Sequence, residues 1–175
     1  MKARSITTVL ALACAAAACT PVLDWREVRP EGSGLVALLP CKPAGHARQL
    51  TLAGVAVEMS LFACSTAGVT YAVGFADVVQ PQLVGRALDE LAMAAARNIG
   101  SEGLHTATPV RIEGMTPQPG AGRHAFAGQL SGGQRVAEHV AVFARGTRVY
   151  QATVVGARLD AEATETFFGS LRLVS

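Results

Sequence analysis

The chain has 175 residues, of which 50% are hydrophobic, 16% charged and 5% aromatic, with a formal net charge of +2. That balance excludes a nucleic-acid surface, since like charges form no block and the sparse aromatics offer no platform for stacked bases. The length bounds the chain to one domain.

Lys2 and Arg4 precede an apolar, alanine-rich run from Ile6 to Ala18. It is shorter than the roughly twenty residues a bilayer core requires, so residues 1–18 read as a signal peptide. No later stretch approaches spanning length. The run ends Ala16-Ala17-Ala18-Cys19-Thr20, which resembles the lipobox of bacterial lipoproteins and makes Cys19 the expected acylation site. That motif prefers leucine where Ala16 stands, and A-x-A cleavage with simple secretion is the competing reading. A second candidate ending at Cys14 would leave a short apolar region. Thr20 after the cysteine, by the same resemblance, implies the outer membrane. The expected location is the periplasm, with lipid on Cys19 as the only membrane attachment, or the soluble periplasm if cleavage occurs without acylation. Lys2 and Arg4 account for the whole net charge, so the mature chain is formally neutral.

Removal of Cys14 and acylation of Cys19 leave Cys41 and Cys64. In an oxidising compartment such a pair is most simply a disulfide, worth about 3 kcal/mol in the chain-entropy model. Two free buried cysteines are the alternative. A metal or redox pair lacks both C-x-x-C spacing and neighbouring ligands.

Residues 19–29 read as the tether from the lipid anchor, with Trp25 as a packing residue, and 30–175 as the domain. Gly34–Leu39 is an apolar run of strand length, stopped by Pro40 and Pro43. His46–Ala53 is a second strand, turned at Gly54 into Val55–Cys64. There Val55, Val57, Met59 and Leu61 share one face, and Glu58, Phe62 and Cys64 the other. After Thr66–Gly68 comes Val69–Ala76, and these short runs with tight turns indicate antiparallel pairing. A helix follows with Pro81 in its first turn. Val84, Leu88, Leu91, Ala95 and Ile99 make its apolar stripe, Arg86, Asp89, Glu90 and Arg97 its solvated face, and Gly100 its stop. Thr108–Glu113 is expected as a strand before the Pro/Gly-rich loop Thr116–Gly120. Arg123–Leu130, Gln134–Arg145 and Arg148–Val155 are further strands. Asp160 caps a closing helix with Glu162 in its first turn, Phe167 and Phe168 anchor it, and Leu171–Val174 ends the chain. This order predicts an α+β fold, with a single antiparallel sheet of about six to eight strands, one long helix and a short C-terminal helix.

The stretch "LSGGQ" (Leu130–Gln134) has the letters of the signature that contacts ATP in ABC-transporter ATPases. That signature completes a site whose phosphates are held by a P-loop lysine. The lysines here are Lys2 and Lys42, and neither follows a glycine. Ser131-Gly132-Gly133 reads instead as a hairpin tip, where glycine supplies positive φ. No nucleotide is expected.

No catalytic constellation emerges either. His46, His105, His124 and His139 form no H-x-x-x-H, and no serine has a G-x-S-x-G setting. A three-residue Ser-Gly-Gly loop puts His124 opposite Val140 and turns His139 to the other face, so the two imidazoles do not meet. A one-residue change at the turn would invert that, and Glu138 falls on the face that is otherwise apolar.

The succession "DWREVRPEGSGLVALLPCKP", a Gly-turned hairpin, "YAVGFADV", a helix, "GQLSGGQ", "RVYQATVVG" and "FFGSLRLV" resembles a group of bacterial envelope proteins. Their Pro-Gly-x-Pro after the first strand appears here as Pro40-Cys41-Lys42-Pro43. Their domain is similar to the PsbP-like fold of photosystem II extrinsic subunits, which implies an α-β-α arrangement over about residues 24–174. Fold alone assigns no activity.

The favoured function is a non-catalytic envelope lipoprotein, not an enzyme, whose domain binds a protein partner or supports an assembly. The alternative is a periplasmic small-ligand-binding domain, using a cleft between helix and sheet opened by the loop Thr116–Gly122. No cofactor or metal is expected in either case, and a hydrolase ranks third. A ligand site should show convergent polar groups in a pocket, and a partner site an exposed apolar patch.

Overall fold

Pro40 and Pro43 divide the molecule into two sheets, because neither can donate a hydrogen bond to a continuing ladder. The computed structural model describes residues 22–101 and 107–174. In chain order its elements are β1 (Arg26–Val28), β2 (Leu35–Leu39), β3 (Ala44–Leu52), β4 (Val55–Thr66), β5 (Val69–Asp77), a 3-10 turn (Pro81–Leu83), α1 (Val84–Asn98), β6 (Gly122–Gln129), β7 (Arg135–Arg145), β8 (Arg148–Gly156), α2 (Ala161–Gly169) and β9 (Arg172–Leu173). β1, β2 and β9 form a three-stranded sheet with β2 in the centre. The other six strands form an antiparallel sheet in the order β3-β4-β5-β8-β7-β6.

The fold is α+β, as the sequence predicts, but the single sheet is corrected to two. Beyond the proline corner, β2 pairs with β1 and β9 rather than with β3. Its near-unbroken burial suits a central position. Two further differences follow. β1 lies within the expected tether, so regular structure begins before residue 30. The expected strand Thr108–Glu113 is an extended connection that touches β6 through the Thr108–Arg123 bridge and β9 through the Glu113–Arg172 bridge. Pro109 has no N–H with which to extend the first of these.

Each face of the six-stranded sheet carries its own core. Val57, Met59, Ala76, Val140, Val142 and Val149 pack beneath α1. Cys64, Tyr71, Val73, Phe143, Tyr150 and Val154 pack beneath α2 and the small sheet. The helical stripe is as expected: Val84, Leu88, Leu91, Ala95 and Ile99 are all buried, and Gly100 ends the helix at φ +62°. The helix end seats directly on β6. A Cβ at Gly128 would stand 2.0 Å from the Ile99 carbonyl oxygen, and the Gln129 N–H donates to that oxygen at 2.6 Å. At α2, the Asp160 carboxylate accepts from the Ala163 N–H at 2.8 Å, the expected cap. Phe167 meets Tyr71 edge to face at 5.6 Å.

The two sheets are joined by side chains of β7 and β8 that donate to carbonyls of the small sheet and its flanks. The buried Tyr150 hydroxyl donates to Ser33 at 2.7 Å, Arg145 to Val174 at 2.7 Å, and Arg148 to Gly32. Among the described residues no helix is long and apolar enough to cross a membrane.

Candidate functional site

Cys41 and Cys64 form a disulfide, with Cα atoms 5.8 Å apart. It ties the corner after β2 to the end of β4. Cys19 and His105 lie outside the described residues. The "LSGGQ" letters close the β6–β7 hairpin: Leu130 and Gln134 pair across it, and Gly133 holds φ +83°. His124 stands opposite Val140, while His139 stands opposite Ala125 on the other face. The imidazoles are not brought together. Glu138 does share the apolar face with His124 and is only 5% exposed. Its Oε2 has no hydrogen-bond partner among the described residues, and burial pushes its carboxyl up to about 7.

A polar cluster that sequence reading missed lies on the opposite face. Arg123 donates to both carboxylate oxygens of Glu165, at 2.8 and 3.0 Å, and approaches His139 Nδ1 at 3.1 Å. Its guanidinium also lies 4.1 Å from the centre of the Phe168 ring. Burial, and then the Arg123 cation, push the His139 imidazole down. Arg123 is thereby committed to locking α2 onto the sheet. Its partners lie 16 and 42 residues away, so no local spacing could have revealed the cluster. Among the described residues, no three His, Cys, Asp or Glu side chains gather as a metal group would require.

α1 packs on its strands through Ala87, Ala92, Ala95 and Ala96, and the loop expected to open a cleft, Thr116–Gly122, contributes Pro117, Gln118, Pro119 and Ala121 to a groove. The groove, of about 620 Å³, lies within the connection 107–121. Val110, Ile112, Met115, Pro117 and Pro119 give it apolar walls, and Arg111 and Gln118 line it as well. It lacks the several convergent polar groups that orient a small ligand.

The edges of the large sheet differ sharply. β6 is covered at both ends: Thr108 exchanges two 2.8 Å backbone hydrogen bonds with Arg123, and Gln129 bonds the end of α1. Among the described residues, β3 has no neighbour beyond β4. Its pairing runs without a bulge from Ala44↔Ala63 to Leu52↔Val55, and Ala44 through Gln49 are all exposed. No proline or lysine interrupts it. Natural edges are ordinarily blunted by short length, proline, charged side chains (lysine above all), a bulge or a cover. Of these, β3 carries a charge at Arg48 and, among the described residues, none of the others.

Its backbone geometry follows from the turn. Ala53 at φ 52° and Gly54 at φ 83° make a two-residue turn of type I′. The flanking pair Leu52↔Val55 is then a hydrogen-bonded pair, and the alternation of an antiparallel ladder turns the N–H and C=O groups of Gly45, Ala47, Gln49 and Thr51 outward. Both ends of the strand are held. The disulfide fixes the start, and the Glu90 carboxylate on α1 accepts from the Ala53 N–H at 2.6 Å just past the end. That backbone hydrogen bond is the main reason the Glu90 carboxyl lies below its usual range.

The chain matches no protein-family model, and no curated protein resembles it in sequence.

Proposed function

We propose that this chain is an exported envelope module that binds a protein partner and performs no chemistry of its own. The observation that carries the reading is the contrast between the covered β6 edge and the bare, pre-ordered β3 edge. An edge strand held at both ends loses little further entropy when another strand adds to it, and strand addition supplies affinity through main-chain hydrogen bonds. The lipobox-like stretch at Cys19 supports attachment to the outer membrane, and the helix on each face of the large sheet is what a PsbP-like domain would carry.

The reading is tested in intact cells with a photoreactive residue in place of Gln49, and a control at Ser131 on the hairpin tip. The expected result is an adduct heavier than the chain at Gln49 only, suppressed by Ala47→Pro. An adduct that Ala47→Pro leaves unchanged, or equal labelling at both positions, overturns the reading. Cys19→Ser should also shift the protein from the membrane fraction to the soluble periplasm, and wild-type protein already soluble would defeat the anchor.

The apolar groove of the 107–121 connection favours a second reading, a small apolar ligand. A melting-temperature rise with such ligands, lost in Ile112→Asp, would support it.

A further inference from the structure

We infer that the partner of the β3 edge is an extended segment of another protein with an acidic residue opposite Arg48, rather than a second copy of this chain. The inference rests on the reading of β3 as the docking surface.

Charge on the edge is one-signed. From Cys41 to Val57 the chain contains Lys42, His46 and Arg48 and no carboxylate. Lys42, His46 and Arg48 are exposed, and none has an ion pair among the described residues. The nearest acid across the ladder, Glu58, stands opposite Gln49 and bonds its amide at 3.2 Å. Glu58 therefore lies on the face away from Arg48.

The register sharpens this. An incoming antiparallel strand makes its hydrogen-bonded pairs with Gly45, Ala47, Gln49 and Thr51, whose groups point outward. Arg48 then occupies a non-hydrogen-bonded pair, the kind in which opposing side chains are closest. An acid at that place gains a cross-strand ion pair, and a basic residue is repelled. Leu50, on the same face as Arg48 and only partly covered, favours an apolar neighbour two positions from the acid.

Self-pairing meets the opposite situation. The antiparallel register that engages all nine residues of β3 places Arg48 against Arg48 at this closest type of pair. A register shifted by two residues relieves that pair but forfeits an outward one: in one direction Gly45 falls against Ala53 in the turn, and in the other Thr51 falls against Pro43, which has no N–H, with Arg48 against His46.

The test uses two nine-residue peptides that alternate threonine and valine, with glutamate or lysine at the centre, titrated into the disulfide-bonded protein. Amide resonances of β3 report binding, and sedimentation reports self-association. The expected result is that both peptides shift the β3 amides and the glutamate peptide binds about three- to tenfold more tightly. Arg48→Glu should reverse that order while leaving the other amides in place. Equal binding of the two peptides overturns the acidic preference and leaves the docking surface standing. Self-association through β3, abolished by Ala47→Pro, overturns it in favour of a second copy. If neither peptide moves the β3 amides at millimolar concentration, the docking reading itself falls.

Discussion

Glu138 is the residue whose environment conflicts most with its chemistry. It stands between Phe126 and Val155 on the face beneath α1. Burial raises its carboxyl from an ordinary 4.5 to about 7. The folded state therefore holds a proton that the unfolded chain releases. Stability is full below pH 4.5 and falls as pH rises through about 7, where the folded protein must also ionise the group. Glu138→Gln keeps the shape of the neutral acid without the charge. It should stabilise the protein at pH 8 by up to about 3 kcal/mol, with the gain vanishing near pH 4.5, as denaturant unfolding across pH would measure. Gly133 is the opposite case, a residue matched to its place. Its φ of +83° suits glycine, and nothing lies within 4 Å of where a Cβ would stand. Gly133→Val should cost about 1 kcal/mol or more through backbone strain alone, and Ser131→Ala nearly nothing. ATP at millimolar concentration should leave the melting temperature unchanged.

Among the elements, β3 depends most on restraints outside itself. Among the described residues it has one neighbouring strand, and its first six residues are exposed. A lone hairpin is marginally stable in water. Here β4 anchors it to the sheet, and the Cys41–Cys64 bridge fixes its start. Reducing that bridge should lower global stability by about 3 kcal/mol. It should also speed amide exchange at the start of β3 ahead of that in α1, whose buried stripe the bridge does not touch. Uniform acceleration throughout the chain would show that the bridge acts only on the unfolded state.

For the molecule as a whole, the question is how two sheets become one body. Tyr150 answers part of it. The ring stacks on Phe143 at 5.1 Å, and the hydroxyl donates to the Ser33 carbonyl in the turn that leads into β2 of the other sheet. Tyr150→Phe keeps the ring and leaves that carbonyl without this donor, which should cost about 1–2 kcal/mol. Loss of cooperativity on unfolding, with the small sheet melting first, would show that the hydroxyl is a principal joint. A single transition shifted to lower denaturant would place the coupling mainly in the shared core.

The sequence by itself determined what depends on near neighbours. The helical stripe, the Asp160 cap, the glycine turns and the register of the β6–β7 hairpin rest on periodicities and loop lengths spanning a few residues, and the structure has them where the chain implies. The disulfide was also legible, because the reading left only two cysteines to pair. Tertiary structure alone decided the rest. Whether β2 would join the large sheet depended on how the proline corner redirected it and on β9 arriving from the far end of the chain. The Arg123–Glu165–His139 cluster joins distant positions, and nothing in the spacing of these residues brings them together. The candidate docking edge was hidden for the same reason. His46–Ala53 reads as a strand, but only the assembled sheet shows which strand has a partner on one side alone. Strand-forming tendency is local, whereas an unsatisfied edge is a property of the complete hydrogen-bond network.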